Sequence, residues 1–151
     1  MRGFWLFVHN LGYSLWLGAG IAMMVSGVTA KRFPPAERLA VYRVGGAVWR
    51  GLIGPGAMAT LLSGLILAMQ WMKSGAAPTW MNVMMGIGLV GGLVAVTMAM
   101  PAASRLGHLE LDPRGELPES FPGLRKRLVW TATIAGGMGL LALWVSTVGR
   151  Y

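Results

Sequence analysis

Residues 4–28 have the sequence FWLFVHNLGYSLWLGAGIAMMVSGV, which contains no Asp, Glu, Lys or Arg. The hydrocarbon core of a lipid bilayer is about 30 Å thick, and an α-helix crosses it in roughly 20 apolar residues. This stretch is long enough and apolar enough to do so. It therefore predicts a membrane-spanning helix, the first span of the chain.

Three further stretches of the chain also lack charged residues: Gly51–Met72, Ser74–Ser104 and Leu128–Gly149. Hydrophobic residues make up 55% of the chain and charged residues only 12%, about half the share of roughly 25% found in soluble domains. The sequence therefore predicts an all-α integral membrane four-helix bundle. It forms a single transmembrane domain over 1–151, with spans at about 4–28, 51–71, 80–103 and 128–149.

The basic residues are concentrated in two of the segments between spans, and they account for the net charge of +8. Loops rich in Lys and Arg stay on the cytoplasmic side of a membrane. We therefore expect both basic loops to be cytoplasmic and both termini to face outward, and we expect no nucleic-acid partner. The first loop carries Lys31, Arg32, Arg38, Arg43 and Arg50, and the second carries Arg105, Arg114, Arg125, Lys126 and Arg127.

The two basic loops differ in predicted structure. Pro34 and Pro35 followed by Glu37 are typical of a helix start, so we expect a helix over 35–50 that lies at the membrane interface or continues into the second span. Pro55 should kink or restart that span. Several Pro and Gly residues between 104 and 127 indicate a second loop without long regular structure.

Glycine is abundant, with 23 residues in the chain. Because apolar surface alone does not drive helices together in lipid, small residues promote helix pairing by allowing backbones to approach. Two pairs of small residues at the required spacing are candidates for helix packing: Gly88 with Gly92, and Ala132 with Gly136. These pairs are compatible with a tight monomeric bundle or with docking to another membrane protein.

The spans lack the side chains that most catalytic and transport mechanisms use. They contain no carboxylate, lysine or arginine, and the chain contains no cysteine. Proton-coupled transporters usually carry ionisable residues at membrane depth, and general acid–base catalysis requires a titratable group near the substrate. The sequence therefore predicts a protein that is neither an enzyme nor a proton-driven transporter, with no catalytic residue.

His9 is the one titratable side chain within the first span that invites a functional interpretation. On a helix, His9, Tyr13, Trp16 and Gly20 share one face, which should face the bundle interior or a protein partner. A histidine at membrane depth suggests a haem ligand, a metal ligand or a proton shuttle. The alternative is a structural histidine that neighbouring side chains or a carbonyl of another helix satisfy by hydrogen bonding.

Methionines cluster at the end of the predicted bundle that contains His9. Thioether and imidazole groups together suit Cu(I), and His with Met is a known haem axial pair. We consider His9, Met69, Met84 and Met85 as candidate metal ligands, and His9, Tyr13, Met84 and Met85 as candidate haem-binding residues. Methionine also fills apolar gaps, and further methionines lie at the other end, which favours a packing role over a ligand role. His108 lies in the second basic loop, on the opposite side from His9.

The stretch His9–Gly18 resembles the first helix of a group of small bacterial membrane families. In these families a histidine is followed seven residues later by tryptophan and then by glycine, as in His9, Trp16 and Gly18. The group includes the copper-resistance/copper-export membrane domain and the membrane-bound protoporphyrinogen oxidase family. The resemblance implies a location in the bacterial inner (cytoplasmic) membrane and a histidine that holds haem or copper. Basic residues at membrane depth, which the oxidase-like members have, are absent here.

Two functions follow as expectations. The first is a non-catalytic accessory or structural subunit that packs with other membrane protein subunits into a larger respiratory or photosynthetic complex. The second is a haem- or Cu(I)-binding membrane protein that uses His9 near the outer face.

Overall fold

A computed structural model describes residues 1–73, 75 and 78–149 of the chain. Within this part every regular element is helical. Four continuous helical stretches are long and apolar enough to cross a membrane: Arg2–Arg32, Pro35–Met72, Thr79–Gly107 and Ser120–Val148. The predicted all-helical fold with four candidate membrane spans is therefore confirmed.

The helices are labelled in chain order. Helix α1 covers Arg2–Thr29 and ends in a short 3₁₀ turn, Ala30–Arg32. The second stretch contains α2, Pro35–Val48, and α3, Gly54–Met72; the third contains α4, Thr79–Val94, and α5, Met100–Gly107. Helix α6 covers Ser120–Val148. Below, the basic end of the bundle is the end where α1 joins α2 and α5 joins α6, and the opposite end carries Lys73.

Two helices extend well beyond the predicted limits of the spans. The segment 35–50 is the first part of one continuous helix with the second span, and its buried residues Leu39 and Tyr42 contact the start of α6. Of the two predicted alternatives, the structure therefore favours continuation into the span. Helix α6 begins at Ser120, ahead of the predicted span at 128–149, with Pro122 in its first turn, where a missing N–H costs little. Charged residues end each apolar run in the sequence, but the helical backbone continues past them.

Each of the two middle stretches contains a five-residue π-helical segment shortly before a proline. These segments are Trp49–Ile53, before Pro55, and Ala95–Ala99, before Pro101. Proline cannot donate a backbone hydrogen bond, and its ring clashes with the carbonyl four residues earlier. In both segments the N–H of the residue before the proline bonds five residues back, Gly54 to Trp49 and Met100 to Ala95. The predicted disturbance near Pro55 is thus a π bulge.

The helices pack as two close pairs, α1 with α3 and α4 with α6, while α2 packs against α5. Helices α3 and α4, although consecutive in the chain, contact each other less closely than α3 contacts α1. A core of small residues surrounds Trp16, which is 3% exposed, and Trp49. The small residues are alanines: Ala57, Ala95, Ala99, Ala103 and Ala135.

A second apolar cluster closes the basic end of the bundle. Its buried members are Leu39, Tyr42, Leu106 and Phe121, and leucines from the connection between α5 and α6 pack onto it. That connection includes a tight turn, in which the Asp112 carboxylate accepts the backbone N–H groups of Arg114 and Glu116 at 2.9 and 2.8 Å. The segment 104–127 therefore contains less irregular structure than its prolines and glycines predicted.

Candidate functional site

The imidazole of His9 is anchored to α3. Its Nδ1 lies 3.0 Å from the Thr60 carbonyl oxygen and 3.2 Å from the Ser63 Oγ. The Ser63 hydroxyl lies against the carbonyls of Ala59 and Thr60, so its hydrogen is used there and its oxygen accepts. Both neighbours of Nδ1 are then acceptors, and we assign the proton to Nδ1 on this basis.

This tautomer leaves a lone pair on the other ring nitrogen, Nε2. In the part of the chain that the structure describes, Nε2 has no hydrogen-bond partner, and His9 is only partly buried. Metal-binding histidines commonly donate one ring N–H to a carbonyl, which fixes the ring and leaves the second nitrogen to the metal. The contacts of Nδ1 therefore agree with a structural histidine, while the Nε2 lone pair keeps the interpretation as a metal or haem ligand open.

The space for the His9 ring comes from a row of small residues on α3. A Cβ at Gly64 would lie 3.1 Å from His9 Cε1, closer than nearly all real contacts of this kind. Gly56, Thr60 and Gly64 are spaced four residues apart and all face α1. This row is visible in the sequence as small residues at a spacing of four, but it was not among the predicted helix-packing residues.

Tyr13 joins α1 to α6. Its hydroxyl donates to the Gly139 carbonyl oxygen, and its ring lies edge-to-face with that of Trp16, with centroids 6.1 Å apart. The Trp16 ring in turn borders both Gly91 and Gly139.

The predicted polar and aromatic face of α1 is therefore directed into the bundle at His9, Tyr13 and Trp16. Gly20, the fourth member of that face, lies in open space, since a Cβ there would meet nothing within 4 Å.

The candidate methionine ligands occupy other parts of the bundle. Met69 is 50% exposed and belongs to an outward row of α3, so the structure does not place it on the side that holds His9. Met84 and Met85 are partly buried on α4, which packs mainly against α6 and less closely against α3. The outward row of α3 consists of Met58, Leu62, Leu65, Met69 and Met72.

Clusters of conventional metal-binding side chains do not appear within the described residues. There, no group of three or more His, Cys, Asp or Glu side chains is close enough to hold a metal ion. His108 lies at the basic end, exposed, with its Nδ1 2.7 Å from the Ser104 carbonyl oxygen. His9 and His108 are thus at opposite ends of the bundle, as their positions in the sequence predicted.

The predicted helix-packing residues divide between the interior and the surface. A Cβ at Gly92 would lie 2.7 Å from Leu61 of α3, and one at Gly88 would lie 4.0 Å from Ala142 of α6. Ala132 packs against the central core.

Gly136 is different, because a Cβ there would meet nothing within 4 Å. On α6 the close contacts are made by Ala135 and Gly139 instead.

Comparisons of the chain with protein-family models, with curated proteins and with solved structures found no match.

Proposed function

We propose that this chain is a non-catalytic integral membrane subunit that packs against another membrane protein within a larger assembly. Respiratory and photosynthetic complexes of the bacterial inner membrane are assemblies of this kind. The protein contributes no catalytic residue in this proposal. Its function is to bind a neighbouring subunit through the surface of α1.

One observation carries this proposal, an outward row along the whole of α1. The row alternates spacings of three and four residues, which is the pattern of left-handed helix pairing. Small residues, Ser14 and Gly18, lie at its centre, and both are exposed. The larger members on either side are Phe4, Phe7 and Leu11 on one side and Ile21, Val25 and Val28 on the other, all exposed.

The small centre of the row forms a notch. A Cβ at Gly18 would meet nothing within 4 Å, so this glycine is not required by packing within the bundle. The Ser14 hydroxyl donates to the Asn10 carbonyl of its own helix at 2.9 Å. A partner helix could approach the backbone closely here, as small-xxx-small pairs permit in membranes. The spacing from Ser14 to Gly18 has this form.

Helix α1 also has the smallest buried share among the four candidate spans. Within the bundle, 17% of its most apolar window is buried, compared with 39% for the second stretch, Pro35–Met72, and 22% for each of the other two. In contrast, the sequence-predicted pair Gly88 and Gly92 faces α6 and α3. We therefore assign partner binding to the notch on α1 and internal packing to that pair.

The test is purification of the native protein in mild detergent, followed by native gel electrophoresis to measure how much of it migrates with a larger complex. We expect Gly18→Leu to reduce that fraction about tenfold or more. The matched control is Gly86→Leu on α4, another glycine with nothing within 4 Å of its Cβ position, which should leave the fraction unchanged. Equal behaviour of the two variants would contradict the proposal.

A second function, haem or Cu(I) binding, is supported by the free Nε2 of His9. Here Thr60 and Ser63 would orient the ring. The test is an absorption spectrum and metal analysis of the purified protein. Stoichiometric haem or copper that His9→Ala removes and His108→Ala retains would establish this function. Equal cofactor content in His9→Ala and the wild-type chain would exclude His9 as the ligand.

A further inference from the structure

A groove lies between α1 and α2 at the basic end of the bundle. Its volume is about 480 Å³, and its walls include Met23 and Val25 of α1, Val41 and Val44 of α2, and Phe33 from the turn between them. This volume falls within the range of roughly 300–1,000 Å³ typical of small-molecule sites. The groove is open along one side, so a ligand could enter from the surrounding bilayer.

The surface of the groove is suited to a hydrocarbon chain. Most of its wall is formed by aliphatic, aromatic and methionine side chains. Its two hydroxyl groups donate to their own helix, Ser26 to the Ala22 carbonyl at 2.9 Å and Thr29 to the Val25 carbonyl at 3.0 Å. Their hydrogens are therefore used, and an apolar occupant leaves no donor unsatisfied.

Two basic residues lie in the turn next to this groove. Lys31 and Arg32 are exposed and occupy the turn between Thr29 and Phe33, both of which line the groove. Neither makes an ion pair in the described part of the chain. Glu37 is the one carboxylate in the segment 31–50, which carries five basic residues, so the local field favours an anion.

We propose that this groove binds an anionic phospholipid, with one acyl chain along α1 and α2 and the phosphate group at Lys31 and Arg32. The groove takes the apolar part of the lipid and the two cations select the headgroup. Basic side chains at the membrane surface attract anionic lipids over a distance of about a Debye length. Selective binding therefore requires both the cations and the open groove.

The experiment is native mass spectrometry of the delipidated full chain after addition of phosphatidylglycerol or, separately, phosphatidylcholine. The wild-type protein should retain phosphatidylglycerol preferentially. The double variant Lys31→Gln/Arg32→Gln should lose this preference, with at least about a fivefold decrease in the bound fraction. Lys73→Gln removes one exposed cation at the opposite end of the bundle and should have no effect.

A second variant tests the groove itself. Val44→Trp should fill it and reduce phosphatidylglycerol retention, whereas Leu65→Trp on the exposed row of α3 should not. Thermal unfolding of each variant checks that it is folded, and Ala40→Leu, also on the groove wall, replaces Val44→Trp if that variant does not fold.

Three results would overturn the proposal. One is equal retention of the two lipids by the wild-type protein, and another is unchanged phosphatidylglycerol retention in either the double variant or the groove-filling variant. The third is release of a co-purifying protein subunit by Val44→Trp with lipid retention unaltered, which would assign the groove to that subunit.

Discussion

Gly12 of α1 and Gly56 of α3 pack directly against each other's backbone. A Cβ at Gly12 would lie 2.7 Å from the Gly56 carbonyl oxygen, and a Cβ at Gly56 would lie 2.8 Å from the Gly12 carbonyl oxygen. This reciprocal contact brings the two helices together one turn away from His9. The hydrogen bonds between the His9 ring and α3 therefore depend on a side chain being absent at both positions.

The first prediction follows from this contact. Gly12→Leu should destabilise the protein by about 1–3 kcal/mol or prevent folding, because the new side chain must displace backbone atoms. The thermal midpoint in detergent measures the effect. Gly20→Leu is the matched control on the same helix, since its Cβ position meets nothing within 4 Å. Equal midpoints for the two variants would refute the close contact.

The second prediction concerns the hydrogen bond from Tyr13 to Gly139. Tyr13→Phe keeps the ring that packs on Trp16 and removes only the donor. We expect a loss of about 0.6 kcal/mol, and at most roughly 1.7, as for other hydrogen bonds between membrane helices. Thr147→Val is the control, because its hydroxyl bonds within its own helix and is exposed. A larger loss in the control than in Tyr13→Phe would contradict the assignment.

The third prediction concerns the basic end, where Arg125 of α6 donates from Nε to the Tyr42 hydroxyl of α2 at 2.8 Å. We expect Tyr42→Phe and Arg125→Met to be coupled in a double-mutant cycle by about 0.5–1.5 kcal/mol of unfolding free energy. Lys126→Met provides the comparison, since Lys126 is exposed. Its effect should add to that of Tyr42→Phe. Additive behaviour of the Tyr42 and Arg125 variants would show that the contact contributes no stability.

The fourth prediction concerns membrane orientation, which rests on the distribution of basic residues. The chain has no cysteine, so single cysteines can be introduced without background labelling. In intact bacterial cells, a membrane-impermeant maleimide should label Lys73→Cys but not Arg114→Cys. Both should be labelled after the cells are permeabilised. The reverse pattern in intact cells would place the basic loops outside and overturn the predicted orientation.

The prediction of four candidate spans was confirmed because the hydrophobic signal is long and uninterrupted. The ends of the helices cannot be read from charge in the same way, as Arg50 shows. Arg50 lies within a continuous helix, in the first π segment, and donates to the Ser104 Oγ at 2.9 Å. A charged residue ends the apolar run, but it does not end a helix whose backbone hydrogen bonds are still satisfied.

Part of the geometry around His9 could be predicted from the sequence. The spacing of His9, Tyr13 and Trp16 showed that they share a face, and that face does point into the bundle. A carbonyl of another helix was among the predicted partners of His9, and Thr60 supplies it. The sequence could not identify Thr60 or Ser63 themselves, because they lie more than 50 positions away. A candidate such as Met69 was selected by its depth along a helix, and depth does not specify the side of the helix.

By itself, the sequence determined the helical class, the number of candidate spans and the face of α1 that carries its polar groups. Length and periodicity within one helix are local properties, so they can be read along the chain. Only the tertiary structure decided that Gly12 meets Gly56 while Gly18 and Gly136 remain open. In a soluble helix the polar side marks the surface, but here the buried and exposed sides are both apolar. The buried and exposed sides of a helix differ in how closely their surface fits a neighbouring helix, and that fit exists only once the helices are packed together.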